Sequence, residues 1–239
     1  MSSREGAREP AGSAIMRSMA ATAQRFEGLP SEAFEFYDAL AANNTRPWWN
    51  EHKADYQRVV REPLEALLAE LSDEFGAAHL FRPYRDSRFS KDKTPIKDHQ
   101  GAVVQVEDAI VYYVQLSATG LMVAGGWYAP QGQQIARYRE CVDGPLGAEL
   151  ERLVASLGKR FEVEGRPVKT RPRGYEADNP RIDLLRNRQL TVGRNYPVDP
   201  SLGTRKALTA VRADWRAMRP LVEWLADYVG PATDPSAEG

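Results

Sequence analysis

The chain contains little of the residue types from which metal and disulfide sites are built. Its 239 residues include one cysteine, Cys141, and three histidines, His52, His79 and His99. A single cysteine excludes an intramolecular disulfide and is typical of a protein in the reducing cytoplasm. The histidines lack the spacing of zinc ligands and no cysteine pair supplements them, so we predict no metal site.

The sequence also lacks the motifs that bind common organic cofactors. It has no glycine-rich phosphate loop, no dinucleotide-binding fingerprint and no nucleophile elbow. No apolar run approaches the ~20 residues needed to cross a bilayer, and residues 1–24 lack the apolar core of a signal peptide. We therefore name no cofactor and expect a cytoplasmic protein without a membrane segment.

The pattern of apolar residues predicts one α+β domain. Helical spacing predicts helices over 30–42, with Ser31 as the N-cap, and over 48–75, 131–142, 146–157 and 211–229, with Pro63 and Pro220 kinking or interrupting two of them. Runs of β-branched and aromatic residues predict antiparallel strands at 103–106, 109–116 and 121–127. A short helix near 181–186 and a strand at 189–192 are also expected. We expect a central antiparallel sheet flanked by helices over residues 25–230, a disordered leader at 1–24 and a flexible tail at 231–239.

Basic side chains are concentrated in two blocks, although the net charge of the chain is only −1. Residues 82–97 contain six basic and two acidic side chains, and residues 165–194 contain eight basic and three acidic ones. The blocks carry +4 and +5, which leaves −10 for the rest of the chain. A cationic site on an acidic body is the electrostatic form of a pocket for phosphate, carboxylate or nucleic acid.

The first basic block is predicted to hold the ligand. If residues 82–88 form a strand, alternation places Arg82, Asp86 and Arg88 on one face and turns Arg85 to the other. Asp86 would then be a fixed anion that orients two guanidiniums for a bidentate grip on phosphate or carboxylate. The predicted ligand-binding residues are Arg82, Arg85, Arg88, Lys91 and Lys93. Two alternatives stay open: an ion-pair network that fixes the sheet edge to the helices, and a solvated charged face.

If the protein is an enzyme, the candidates for catalysis are Asp86, Asp92 and His99. Either carboxylate would orient a substrate or ligate a metal, while the neighbouring cations stabilise developing charge. His99 lies six residues after Lys93, and histidine is the usual acid–base group at neutral pH. An exposed loop histidine without a catalytic role is the alternative.

Two further features also have alternative interpretations. Trp48 and Trp49 are interpreted as a cap on the core, with stacking on a base or a sugar as the alternative. The arginines of residues 165–194 either line a groove for nucleic acid, with Tyr175 as a stacking face, or lie over acidic helices and neutralise them.

Several segments resemble a family of bacterial proteins that is also found within larger fungal ones. Asn43-Asn44-Thr45-Arg46-Pro47-Trp48-Trp49, Gly125-Gly126-Trp127 and Pro172-Arg173-Gly174-Tyr175 are three of these segments. The central signature is Arg-x-x-Arg-Asp-x-Arg-Phe-x-x-Asp-Lys, and it falls on Arg82, Arg85, Asp86, Arg88, Phe89, Asp92 and Lys93. The sequence therefore resembles the domain of unknown function 2461 family over most of residues 25–230. The resemblance implies a family and no activity.

The function best supported by the sequence is the binding of an anionic, phosphate-bearing small molecule at the first block. Enzymatic activity is left open. One rival is a nucleic-acid-binding protein in which both basic blocks form one groove, and the near-neutral total charge makes it the less favoured. The other rival is a non-enzymatic interaction domain that uses the same charges toward an acidic protein.

Overall fold

The computed structural model describes residues 25–86 and 92–232. The predicted leader, residues 87–91 of the basic motif and residues 233–239 of the predicted tail lie outside this range. Two tail residues are described, and both contact the folded chain. The Pro231 carbonyl accepts a hydrogen bond from Arg137, and the Ala232 N–H donates to Asp108 at 3.2 Å.

The fold is α+β, as predicted, and is built on one six-stranded antiparallel sheet. Its strands are β1 (Ala78–Leu80), β2 (His99–Glu107), β3 (Ile110–Ser117), β4 (Gly120–Trp127), β5 (Glu162–Glu164) and β6 (Leu190–Pro197). Their order across the sheet is β1-β2-β3-β4-β6-β5. The three central predicted strands are confirmed as β2, β3 and β4, and the strand expected at 189–192 is the first half of β6.

Helices flank the sheet in the order in which the apolar spacing predicts them. They are α1 (Ser31–Ala42), α2 (Arg46–Asp55), α3 (Glu62–Ala69), α4 (Ser72–Phe75), α5 (Gly132–Asp143), α6 (Gly147–Leu157), α7 (Ile182–Leu185) and α8 (Lys206–Tyr228). A π-helical segment, Tyr56–Arg61, joins α2 to α3, and a 3₁₀ turn, Pro200–Gly203, precedes α8. No helix in the described part of the chain is both long and apolar enough to cross a membrane.

The core lies between one face of the sheet and α8. Residues of β3 alternate between buried and half-buried, which is the pattern of a strand with one face covered. At the centre of this layer, the ring of Trp215 packs against Phe75 and Tyr112, with ring centroids 5.2 and 5.4 Å apart. Aromatic side chains bury the largest apolar areas, so this cluster contributes strongly to fixing α8 on the sheet.

Three local expectations meet different outcomes. The division expected near Pro63 occurs one turn earlier, as the π-helical segment that joins α2 to α3. The interruption expected at Pro220 is wrong, because α8 continues through it. The lost hydrogen bond costs ~3 kcal/mol, which the burial of neighbouring Met218 and Leu221 offsets. The N-cap of α1 is Pro30 instead of Ser31, whose hydroxyl contacts the Glu32 carboxylate.

Candidate anion-binding site

A groove of about 660 Å³ lies between the start of α2 and the two limbs that flank residues 87–91. Its lining residues are Asn44, Thr45, Arg46, Trp49, Asn50, Tyr84, Arg85, Lys93 and Pro95. We call it the Arg46 groove. It brings together two segments that the sequence separates, residues 44–50 and residues 84–95, and its volume is that of a small-molecule site.

The two limbs are held together by one isolated bridge, between Tyr84 and Ile96. The strand predicted over residues 82–88 is therefore wrong in its described part. The backbone pairs on either side of the bridge each make a single hydrogen bond, of 2.8 and 2.9 Å, in which Pro83 or Pro95 is the acceptor. Because proline has no N–H, the reciprocal bonds cannot form and the ladder ends.

The predicted alternation of side chains is nevertheless present in the outgoing limb. Arg82, Tyr84 and Asp86 are exposed, whereas Arg85 is half-buried. An extended backbone turns successive side chains to opposite sides even where the hydrogen-bonded ladder is missing. The alternation predicted from the sequence therefore assigns these side chains correctly to two sides, although the strand in which it placed them does not form.

Asn44 ties the entrance of α2 to the returning limb. Its Nδ2 donates to the Ile96 carbonyl at 2.9 Å, and the Ile96 N–H donates to its Oδ1 at 3.1 Å. Ile96 is only 1% exposed, so water does not replace these partners. The Asn44 side chain thus pairs with the free edge of the returning limb and joins that limb to the start of α2.

The first turn of α2 carries polar side chains into the groove. The Thr45 hydroxyl caps the helix by accepting from the Trp48 N–H at 3.3 Å. Arg46 and Asn50 lie four residues apart, which places them on one helix face; both are exposed. Arg46 makes no ion pair with any residue in 25–86 or 92–232. The positive end of the helix dipole lies at the same place, so this corner of the groove favours an anion.

An aromatic wall closes the groove on the side of the core. Trp49 is 2% exposed, and its Nε1 donates to the Tyr84 hydroxyl at 3.3 Å. The Trp49 ring packs on Tyr56, with centroids 4.9 Å apart. The Trp48 ring stacks on His52 at 4.0 Å with an interplanar angle of 10°. The interpretation of Trp49 as a cap on the core is confirmed, and the stacking partner of Trp48 is His52.

The wall is fixed to the sheet through Tyr56, the first residue of the π-helical segment. Its hydroxyl donates to the Gln100 Oε1 at 2.5 Å. Gln100 is buried, and its Nε2 donates to the carbonyls of Phe81 and Gly101 at 2.9 and 2.8 Å. Burial raises the pKa of Tyr56 to about 12, so this phenol stays neutral and serves as a fixed donor. The groove wall is therefore preorganised.

Arg85 belongs to an ion-pair network. Its terminal nitrogens contact the carboxylates of Asp92 and of Asp98, the second at 3.5 Å. Its Nε is buried and has no hydrogen-bond partner among the described residues. With both terminal nitrogens occupied, Arg85 does not offer a bidentate grip to a ligand. The ion-pair alternative of the sequence analysis therefore describes this residue.

Asp92 is a fixed anion in the returning limb. Its Oδ1 accepts from the Thr94 N–H at 2.9 Å and from the Thr94 hydroxyl at 2.8 Å, the geometry of an Asx turn. These hydrogen bonds and the charge of Arg85 lower the pKa of the Asp92 carboxyl. A carboxylate held ionised in this way does not act as a general acid at neutral pH.

The other two catalytic candidates also lie outside the lining of the groove. His99 begins β2, and its Nδ1 is 2.8 Å from the Asp98 Oδ1. Partial burial raises the pKa of Asp98, but the hydrogen bond to His99 and the charges of His99 and Arg85 lower it further, so its pKa lies below the usual value. Asp86 is exposed. The structure therefore does not gather Asp86, Asp92 and His99 into one catalytic arrangement.

The predicted ligand-binding residues divide into three groups. Arg85 and Lys93 line the groove. Arg82 is exposed but is not part of the lining. Arg88 and Lys91 lie outside the described residues. Sequence reasoning missed Arg46 and Asn50 as site residues, because neither lies in a basic block. The only signal for Arg46 was the family resemblance of the segment Asn43–Trp49, and Asn50 lies just outside that segment.

The second basic block is engaged within the chain at several positions. The Arg181 Nε donates to the Val142 carbonyl at the end of α5, at 2.6 Å, and the Arg186 Nε donates to the Val168 carbonyl at 3.0 Å. Arg194 lies 3.6 Å from the Asp214 carboxylate. These contacts engage the three arginines within the chain, and at Arg194 the partner is a carboxylate that neutralises its charge.

Asp214 is a buried carboxylate that sequence reasoning did not single out. It is fully buried in α8, and it accepts hydrogen bonds from the Tyr196 hydroxyl and from Arg160, both at 2.5 Å. A buried charge requires such partners. It stands in the charged stretch Arg212–Arg216 and therefore gives no sequence signal, because only the packing of α8 on the sheet shows which face of the helix is covered.

The remaining metal-binding and nucleophilic candidates are metal-ligand clusters and Cys141. Among the described residues, no group of three or more His, Cys, Asp or Glu side chains is placed to hold a metal ion. The Cys141 Sγ donates to the Tyr228 carbonyl at 3.4 Å. Burial raises the pKa of the Cys141 thiol, which disfavours the nucleophilic thiolate.

Comparisons with known proteins identify the family of the chain. No curated protein and no solved structure is significantly similar to it. Residues 32–224 match the family described as "Conserved hypothetical protein (DUF2461)". The match includes both segments of the Arg46 groove, and it covers most of the chain. The chain therefore belongs to the DUF2461 family.

Proposed function

We propose that the chain binds an anionic small molecule carrying a phosphate group in the Arg46 groove. The observation that supports this most directly is the convergence of three cations, Arg46, Arg85 and Lys93, on a groove whose described lining has no carboxylate. Asp92 and Asp98 lie beside Arg85 but are not part of the lining. Arg85 is ion-paired, but Arg46 has no ion pair among the described residues, and a cation of this kind in a recess favours an anion.

The residues have different roles in this proposal. Arg46 supplies the planar fork of donors that matches two oxygens of a phosphate, and Asn50 adds an amide on the same helix face. Lys93 adds a point charge from the opposite limb. Arg85 is a positioning residue, because it holds the returning limb through its ion pairs with Asp92 and Asp98.

The experiment is thermal unfolding of the full chain with inorganic phosphate, pyrophosphate, ribose 5-phosphate, uncharged ribose and a short oligonucleotide. A ligand present at ~100 times its Kd stabilises a protein by about 2.7 kcal/mol, which corresponds to a Tm increase of roughly 5–11 °C for a chain of this size. We expect one or more of the three phosphates to raise the Tm, and ribose to leave it unchanged. Stabilisation by the oligonucleotide alone, with a steep decrease as salt is added, would favour the nucleic-acid alternative instead.

Two pairs of variants test whether the groove is the binding site. Arg46→Ala and Lys93→Ala should lose most of the increase in Tm caused by the phosphates. Arg173→Ala and Lys159→Ala remove the same charges from exposed positions outside the groove, and they should keep it. If the four variants respond alike, or if no phosphate stabilises the unmodified chain, the proposal is wrong.

A further inference from the structure

Tyr84 presents an aromatic ring to the same groove as the cations. Its side chain is 52% exposed, and it lines the groove beside Arg85. Trp49 provides its only ring contact among residues 25–86 and 92–232, at 6.0 Å and an interplanar angle of 70°. This contact is edge-to-face, so it differs from the parallel stacking that a planar ligand ring would make.

The Tyr84 ring is held in place from two sides. Its backbone forms the bridge with Ile96, which Asn44 fixes from the outer edge. Its hydroxyl accepts the hydrogen bond of Trp49 Nε1. A ring that is already ordered loses little conformational entropy when a ligand covers it, and rigid aromatic side chains are efficient contact surfaces for this reason.

The neighbouring tryptophan rings on α2 are already covered. Trp49 is buried, and Trp48 is stacked on His52. Of the aromatic rings in residues 25–86 and 92–232 that border the groove, Tyr84 is therefore the one available to a ligand. The volume of about 660 Å³ also exceeds what a phosphate group alone fills, and it suits a ligand with a second, larger part.

We infer that the ligand of the Arg46 groove is a phosphate ester that carries a planar ring, a mononucleotide being the simplest case. This inference rests on the proposed function. The phosphate contacts Arg46 and Lys93, and the planar ring stacks on Tyr84. Stacking on an aromatic side chain tolerates different bases because every base has a π-face, so the groove selects for a ring and a phosphate together.

The test compares phosphates that differ in the ring, by titration calorimetry on the full chain. The probes are ribose 5-phosphate, adenosine 5′-monophosphate, phenyl phosphate and adenosine. We expect adenosine 5′-monophosphate to bind at least about fivefold more tightly than ribose 5-phosphate, which is the low end of the effect of one stacked base. Adenosine, which lacks the phosphate, should bind more weakly than its monophosphate. Phenyl phosphate carries a planar ring and a phosphate but no nucleoside, so it shows whether any aromatic ring is sufficient. Tighter binding of phenyl phosphate than of ribose 5-phosphate would support the inference.

Variants of Tyr84 assign the effect to this ring. Tyr84→Leu should abolish the preference for adenosine 5′-monophosphate over ribose 5-phosphate, whereas Tyr84→Phe, which keeps the ring, should keep that preference. Tyr128→Leu is the matched control, because Tyr128 is 53% exposed and does not line the groove.

Three results would overturn the inference. Equal binding of adenosine 5′-monophosphate and ribose 5-phosphate by the unmodified chain would refute the stacking of a ring and leave phosphate binding in place. An unchanged affinity of Tyr84→Leu for adenosine 5′-monophosphate would refute the role of this residue. No binding of any phosphate would refute the inference together with the proposed function.

Discussion

Replacing Asn44 by alanine tests how the two segments of the Arg46 groove are joined. The asparagine makes two hydrogen bonds, and both go to the backbone of Ile96, at 2.9 and 3.1 Å. On its other side, Ile96 faces Tyr84 in the isolated bridge, whose hydrogen bonds are made by the neighbouring residues. Alanine at position 44 therefore leaves the N–H and the carbonyl of Ile96 without partners.

The expected cost follows from the burial of Ile96, which is 1% exposed. An unsatisfied buried polar group costs about 1–3 kcal/mol. The substitution leaves two such groups. Because the variant can relax and let some water reach them, we expect Asn44→Ala to lower the free energy of unfolding by about 2–4 kcal/mol in total. At 2–4 °C per kcal/mol, the Tm falls by roughly 4–16 °C. Asn44→Asp should be at least as damaging, because a carboxylate cannot donate to the Ile96 carbonyl and repels it.

Urea unfolding of the purified variants measures this cost, and Asn43→Ala is the control. Asn43 is exposed and donates one side-chain hydrogen bond, to the Ala39 carbonyl at 3.2 Å, so its replacement should cost less than about 1 kcal/mol. Equal unfolding midpoints for Asn44→Ala and Asn43→Ala would refute the reasoning. A change in the slope of the transition would instead show that the variant alters the compactness of one state.

Two further predictions concern charges outside the groove. Hydrogen bonds from Arg205 and from the Phe26 N–H hold the pKa of Glu70 at about 2 instead of the ordinary 4.5, so its stabilisation is complete above about pH 4.5 and decreases as the pH falls toward 2. The shift corresponds to about 3–4 kcal/mol at most. Solvent screening of this partly exposed pair reduces the expected contribution to about 2 kcal/mol. Glu70→Gln should therefore lose about 2 kcal/mol at pH 7 and less than half of that at pH 3 in urea unfolding; an equal loss at both pH values would contradict the assignment. Asp214→Ala leaves Arg160 and Arg194 without their buried carboxylate, and we expect a loss of about 2–4 kcal/mol by calorimetry. Asp227→Ala, an exposed change in the same helix, should lose less than about 0.5 kcal/mol, and a similar loss for both variants would contradict the structural role of Asp214.

Much of the fold could be predicted because its signals are local. The alternation in β3 and the helical spacing of Val211, Trp215 and Met218 in α8 are properties of neighbouring residues, and both elements lie where these patterns place them. Pro220 shows the limit of local reasoning. Its effect on the helix depends on how much apolar surface its neighbours bury, which only the packed structure determines.

The candidate site was harder to predict because its contacts are non-local. The charge pattern singled out Arg85 and Lys93, which line the groove, but it did not show that Arg85 is ion-paired with Asp92 and Asp98. Arg46 has no ion pair among the described residues, and it stands alone in a segment with no excess of basic residues. It reaches the first basic block only because Asn44 binds the backbone of a residue 52 positions away.

The affinity for ribose 5-phosphate of Arg46→Ala, measured by titration calorimetry beside Arg173→Ala, tests the central claim most directly. A hydrogen bond to a charged group is worth about 1.5–3 kcal/mol, so loss of the Arg46 guanidinium should weaken binding by at least about tenfold. Arg173→Ala should bind within about twofold of the unmodified chain. If both variants bind as tightly as the unmodified chain, the anion does not lie in the Arg46 groove.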